Sequence, residues 1–180
     1  MGKKLSEMTL EELWQLFPIV LTEHQDCWKE WYEDERKILK SLLPEKTVIN
    51  HIGSTAIEGI WAKPIVDILV EMPDGDDMDA VKECLTHAGY ICMNESDGRC
   101  DLNKGYTEKG YDERVFHIHL RHAGDNDEIA FRDYLNGHPD VAKEYEVLKL
   151  SLWHQYEHDR DGYTAAKSEF VRRVKRLADN

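Results

Sequence analysis

The stretch His51–Glu71 reads HIGSTAIEGIWAKPIVDILVE, and its pattern predicts strand, glycine turn, short helix, strand. Thr47 to Ile52 is a short β-branched run that Gly53 breaks, and Ser54 and Thr55 follow as small hydroxyl residues. Pro64 to Val70 reads as a second strand with one charge, Asp67, in its middle. A carboxylate is seldom buried without a partner. An aspartate inside IVDILV therefore calls for a metal, a base or a set of N–H donors. Gly53-Ser54-Thr55 offers backbone N–H groups at an expected helix start, where orphan donors and the dipole favour an anion. An anion turn with a strand carboxylate thirteen residues after Ser54 is the order expected of a phosphate-plus-metal site.

On the N-terminal side, Thr9 to Phe17 reads as a short helix, with Thr9 and Glu12 forming a capping box and Pro18 ending it. His24 to Leu43 reads as a long helix whose Trp28, Trp31, Tyr32, Leu39 and Leu42 share a core face. On the C-terminal side, PDGDDMD at Pro73–Asp79 reads as a solvated helix cap. It lacks the glycine and closing glutamate of a calcium loop. Met78, Val81, Leu85 and Ala88 give an amphipathic helix, and Tyr90 to Met93 a third strand. Arg99–Tyr106 and Arg114–Arg121 form an expected hairpin. In its second strand Phe116, Ile118 and Leu120 alternate with His117, His119 and Arg121, so one face is apolar and the other carries two imidazoles and a guanidinium.

The remainder reads as three helices. Asp127 caps the first; Pro139 opens the second, which runs to about His158 with Val141, Tyr145, Leu148, Leu152 and Tyr156 buried. Asp161 caps the third, where Tyr163, Phe170, Val174, Leu177 and Lys167 share a face. The expected architecture is α/β: a mixed, partly antiparallel sheet of four or five strands with surrounding helices. The whole chain, 1–180, reads as one domain, its C-terminal helices from about 127 packed on the sheet as a bundle.

Charged residues make up 33% of the chain and the formal net charge is -13, a balance that repels nucleic-acid backbones and anionic membranes. Four cysteines without a Cys-x-x-Cys pair fit a reduced, cytoplasmic setting. No apolar run approaches the roughly 20 residues that span a bilayer, and MGKKLSEMTLEELW has no apolar signal core.

His117 and His119 point the same way and, with Asp67, offer two imidazoles and a carboxylate, a set that suits Zn²⁺, Mn²⁺, Ni²⁺ or Fe²⁺ better than Mg²⁺. The competing reading is a half-exposed pair on the polar face of a sheet, with Asp67 as a structural carboxylate. Their ordinary pKa near 6.5 also suits proton transfer, and His51 is a candidate fourth member. Lys63, Arg121, Arg132 and Lys167 are candidate phosphate contacts. Lys167 stands on an otherwise apolar helix face, where it either snorkels to water or reaches into the site. Gly53 and Gly59 do not make a P-loop, because no Lys-Ser or Lys-Thr follows.

HIGSTAIEGIWAKPIVDILV resembles the signature of the GrpB family, in the polymerase-β-like nucleotidyltransferase superfamily. That superfamily carries Gly-Ser on a short helix and then Asp-x-Asp on the next strand. Gly53-Ser54 matches the first half; Asp67 matches the second aspartate, and Ile65 stands where the first would be. HIHLRH at 117–122, FRDYLNGHPDVAKEYEVLK at 131–149 and DRDGYTAAKSEF at 159–170 extend the likeness to about Phe17–Val174. The resemblance implies a nucleotidyltransferase-type core that binds a nucleotide or another phosphorylated small molecule. Gly53, Ser54 and Thr55 would cradle phosphates, and Lys63, Arg121, Arg132 and Lys167 would neutralise charge. Asp67, His117 and His119 would be the catalytic and metal-holding residues, with a divalent Mg, Mn or Zn ion. Nucleotidyl transfer is the implied chemistry. Two further readings stand beside it: a non-catalytic binding or folding-assistance module with a protein partner, and a metal-dependent hydrolase using Asp67 with His117 and His119. The family's domain also occurs fused to dephospho-coenzyme A kinase, which suits a helper role.

Overall fold

The computed structural model describes residues 3–179. A five-stranded sheet is built from β1 (Val48–Ile52), β2 (Ile65–Met72), β3 (Ile91–Ser96), β4 (Arg99–Thr107) and β5 (Gly110–His122), in the order β1-β2-β5-β4-β3. Only β2 and β5 run parallel; the other neighbours are antiparallel. The helices are α1 (Leu10–Leu16), α2 (Cys27–Leu42), α3 (Met78–His87), α4 (Asp127–Gly137), α5 (Pro139–Trp153) and α6 (Arg160–Ala178). The expected mixed, partly antiparallel α/β sheet is the one observed.

Period-two alternation in β2 and β5 splits the sheet into two unlike faces. Val66, Ile68, Val70 and Met72 of β2 join Phe116, Ile118 and Leu120 of β5 beneath α2, whose Trp28, Tyr32 and Leu39 are buried there. Burying each such side chain contributes about 1.5–3 kcal/mol, which makes this face the main core. A charge lock fastens α2 to it. Buried Glu35 takes the Lys104 ammonium at 2.8 Å and a short hydrogen bond from the Tyr90 hydroxyl. The other face carries Asp67, His117, His119, Asp101 and Arg121 and holds the candidate site.

The C-terminal helices bury their apolar residues chiefly against the connection between β1 and β2. Phe131, Leu135, Ala142, Tyr145 and Val174 close over Ile57 and Ile60. Beside them, Tyr163 packs with Ile19 and Leu21. A two-way bridge between Thr22 and Ala62 ties that N-terminal segment to the same connection. The linker from β1 to β2 is thus the surface on which the helical layer is seated.

Several boundaries and faces differ from the sequence reading. The expected short helix after Gly53 is a single 3-10 turn, Ser54–Ala56, ended by the extended backbone of Ile57. Three residues carry no useful macrodipole. Asn126, not Asp127, precedes α4, and the Asp127 carboxylate pairs instead with Lys175. Asp159, not Asp161, caps α6 by accepting from the Gly162 N–H. α5 ends at Trp153, short of His158. The buried stripe of α5 is also rotated: Ala142, Tyr145, Glu146 and Lys149 are inside. Glu146 receives the Trp61 N–H, and the Lys149 ammonium donates to the Trp61 carbonyl. Two backbone groups of an irregular segment are satisfied by two charges that apolar patterning places outside.

Gly53 shows the tightest backbone constraint. Its φ is 71°, and a Cβ there would collide with the Asp67 carboxylate. Gly75, at φ 89°, has open space around its missing Cβ. Gly53→Ala and Gly75→Ala therefore share the left-handed strain of about 1–3 kcal/mol, and only Gly53→Ala adds the collision. Denaturant unfolding is expected to rank Gly53→Ala as the more destabilised; equal losses would remove the collision as a constraint.

Candidate functional site

Parallel pairing sets Asp67 beside His117 and Leu69 beside His119. One oxygen of Asp67, Oδ1, lies 3.3 Å from His117 Nδ1 and 3.2 Å from His119 Nε2. The structure thus brings the three central candidates together. Each imidazole is held from behind by a different partner. His117 Nε2 is 2.8 Å from the Tyr106 hydroxyl, to which Arg160 donates at 2.9 Å. His119 Nδ1 is 3.0 Å from Asp101, which also accepts from Arg121 at 2.6 Å.

Burial and those partners shift the two histidines in opposite directions. Burial lowers the His117 pKa, against the pull of the Asp67 carboxylate. A neutral His117 then donates from Nδ1 to Asp67 and accepts the Tyr106 proton at Nε2. Burial also opposes charge on His119, but hydrogen bonds to Asp101 and Asp67 prevail and raise it to about 9. His119 is an imidazolium donating from both nitrogens. Asp67 stays ionised: burial disfavours its charge, and the His117 and His119 hydrogen bonds hold its pKa well below the usual carboxylate range.

In this arrangement the carboxylate and the two imidazoles pair with one another rather than around an ion. Oδ1 of Asp67 is engaged by two imidazole N–H groups, and a protonated imidazole has no lone pair to donate. Among the described residues, no group of three or more His, Cys, Asp or Glu is placed to hold an ion. The charge opposite Asp67 is supplied by His119.

Lys63 and Lys167 feel the charge of this carboxylate. Lys63 and Lys167 lie 5.4 and 4.3 Å from the centre of the Tyr163 ring. Burial, together with Lys167 and Arg160, lowers Lys63 to about 7. Burial and Lys167 lower Lys149 to about 7. Burial lowers Lys167 to about 8, with Asp67 opposing. Lys167 therefore turns inward rather than snorkelling. Tyr145 stands by Ser54, and the buried Tyr163 hydroxyl has no hydrogen-bond partner.

Other candidates are placed elsewhere. Arg121 is 5% exposed, and its Nη atoms are spent on Asp101 and the carbonyls of Cys100 and Leu120, so it is a clamp behind His119 rather than a phosphate contact. Arg132 donates to the His51 carbonyl and Asp133, tying α4 to β1. His51 pairs with Ile68 in register, which puts it on the sheet face opposite Asp67. It stacks on Tyr32 at 4.8 Å and meets Thr55 Oγ1 at 2.9 Å, and burial lowers it to about 4. The Thr55 hydroxyl is therefore directed to His51, leaving Gly53 and Ser54 as the turn's contribution beside Asp67. A separate cleft of about 1310 Å³ runs from Thr55 and His51 between α2 and Arg132.

A family profile described as GrpB protein matches residues 18–176. The chain belongs to the GrpB family. It is 37% identical over 163 residues to the glutamate-rich protein GrpB of Alkalihalophilus pseudofirmus, covering 85% of this chain and 91% of that protein. It is 31% identical over 176 residues to YqkA of Bacillus subtilis, covering 94% of this chain and 50% of that longer protein. Among solved structures, conserved protein GrpB from Enterococcus faecalis superposes with a TM-score of 0.77 at 31% identity, over 88% of this chain and 96% of that one. The GLD-2/RNP-8 complex gives 0.54 at 11% identity, over 88% of this chain and 61% of that one, a likeness of fold alone. The fold is of the nucleotidyltransferase type.

Sequence patterning missed Asp101, Tyr106, Lys149 and Arg160. Asp101 carried one usable signal, a charge two residues before Asn103 on the strand opposite HIHLR. A histidine NMR titration is expected to place His119 near 9, and Asp101→Asn is expected to lower that midpoint. A wild-type midpoint at or below 6.5 would overturn the imidazolium assignment.

Proposed function

We propose that this protein binds a nucleotide or another phosphorylated small molecule beside Asp67, between the Gly53-Ser54 turn and the lysines of the helical layer. One observation carries the reading: burial lowers the pKa of Lys63, Lys149 and Lys167, and Lys167 lowers the other two further, in a chain of net charge -13. Among the described residues, neither Lys63 nor Lys167 has a carboxylate within ion-pair distance. Clustered, half-buried cations repel and lose hydration; a phosphate between them relieves both costs. The unpartnered Tyr163 hydroxyl adds a donor on the same flank.

The donor chemistry favours binding that needs no divalent ion. Ile65, 5% exposed, stands where a second acidic side chain would face the ligand, and Asp67 is already paired with His117 and His119. His119 supplies fixed positive charge, and the Arg160–Tyr106–His117–Asp67 chain holds the carboxylate's orientation. Two-metal nucleotidyl transfer needs more negative ligands than these. The geometry is thus better suited to a binding module than to metal-assisted transfer.

Calorimetry and thermal shift with nucleoside triphosphates, inorganic pyrophosphate and an uncharged nucleoside test this reading, each with and without a chelator. Phosphorylated ligands are expected to bind, the nucleoside not, and the chelator to leave affinity unchanged. Lys167→Met is expected to weaken binding by about 1.5–3 kcal/mol, the worth of a hydrogen bond to a charged group. Affinity is also expected to fall between pH 7 and 9. Lys63 and Lys149 (about 7) and Lys167 (about 8) lose their protons there, and a phosphate loses the charges it binds. No binding by any phosphorylated ligand would sink the proposal; binding abolished by chelator would restore a metal.

A further inference from the structure

The sheet edge farthest from β1 carries a second reactive feature, outside the candidate site. Cys92 on β3 and Cys100 on β4 bring their sulfurs to 3.7 Å. A bulge lies beside the pair: Cys92 pairs with Leu102 and Asn94 with Asp101, so Met93 is an extra residue on β3. All six residues of β3 are exposed, and β3 pairs with β4 alone, so the strand has room to shift by the remaining distance. The two sulfurs differ in access. Cys92 is exposed and Cys100 is buried. Burial, then the Cys92 neighbour, pushes the Cys100 thiol up to about 12. The other two cysteines are set apart from this pair: Cys27 meets Gln25, and Cys84 meets the Leu42 carbonyl.

We propose that Cys92 and Cys100 are a thiol–disulfide modification site that takes a small-molecule disulfide, such as oxidised glutathione, as its oxidant. The exposed Cys92 thiolate attacks one sulfur of the small disulfide, forming a mixed disulfide and expelling one small thiolate. Cys100 then gives up its proton to solvent, and its sulfur attacks Cys92 Sγ, breaking the mixed bond and expelling the second thiolate. Two protein thiols become one disulfide, and the small disulfide is reduced to two thiols, so electrons and protons balance. The raised Cys100 pKa makes the second step the slow one, since the thiolate is the attacking species.

The product ties the free edge of the sheet to β4 one residue from Asp101, the carboxylate behind His119. It closes only a short loop around the β3–β4 turn, so its effect is local.

The test is oxidation of the full chain by oxidised glutathione, followed by thiol titration in denaturant and peptide mapping without reductant. The titratable thiols are expected to fall from four to two, with one linked peptide pair containing Cys92 and Cys100. The Cys100→Ser variant is expected to stop at a glutathione adduct on Cys92. Because Cys100 is buried, that variant can fail to fold, and the peptide map of the wild-type chain decides the matter alone. Four remaining thiols, a stable glutathione adduct on wild-type Cys92, or a link through Cys27 or Cys84 would each overturn the proposal.

Discussion

One carboxylate oxygen, Oδ1 of Asp67, receives two imidazole N–H groups from the neighbouring strand, and the polar face of the sheet is arranged around that contact. It depends on register. Side chains alternate with period two, so a one-residue slip between β2 and β5 would carry both histidines to the apolar face and leave a buried charge unpaired. The main core and the site are thus fixed by the same pairing. The alternation that packs Ile68 and Ile118 under α2 delivers Asp67 and His117 to the opposite side.

Around that contact, two layers divide the electrostatic work. The sheet supplies an internally balanced network, in which His119 answers Asp67 and Asp101 while Arg121 answers Asp101 again. The helical layer and the β1–β2 linker supply Lys63, Lys149 and Lys167, whose charged forms burial disfavours. Desolvated like charges are a cost to the free fold. A protein of strongly negative net charge concentrates that cost at one place, beside a turn whose Gly53 lets the backbone come directly against a carboxylate.

What the sequence disclosed follows from the range of each interaction. Strand alternation is local, so spacing alone put His117 and His119 on one polar face, while bringing Asp67 beside them took the β2–β5 pairing. The Thr9–Glu12 capping box was legible for the same reason. Arg121 and Arg132 were legible as charges but not in role, because their donors are consumed by carbonyls brought close only by tertiary pairing. His51 was misplaced by the antiparallel turn-back at Gly53, which puts it in register with Ile68. Lys149 and Glu146 were hidden by the ordinary rule that charges lie outside. They are inside because the irregular Trp61 backbone needs a donor and an acceptor. Arg160 donates to Tyr106, which holds His117, a link made by tertiary packing.

The closeness of Gly53 to Asp67 has a consequence for how the chain can vary. The space a methyl group would need at position 53 is filled by a side chain fourteen residues later, so the two positions are not free to drift separately. Shortening the residue at 67 opens that space but not the left-handed backbone, which still penalises any Cβ. Enlarging the residue at 53 displaces the carboxylate and with it both imidazoles. A single substitution at either place is therefore read by the fold as a change at both, and routes through sequence space that preserve this face must treat the pair as one character.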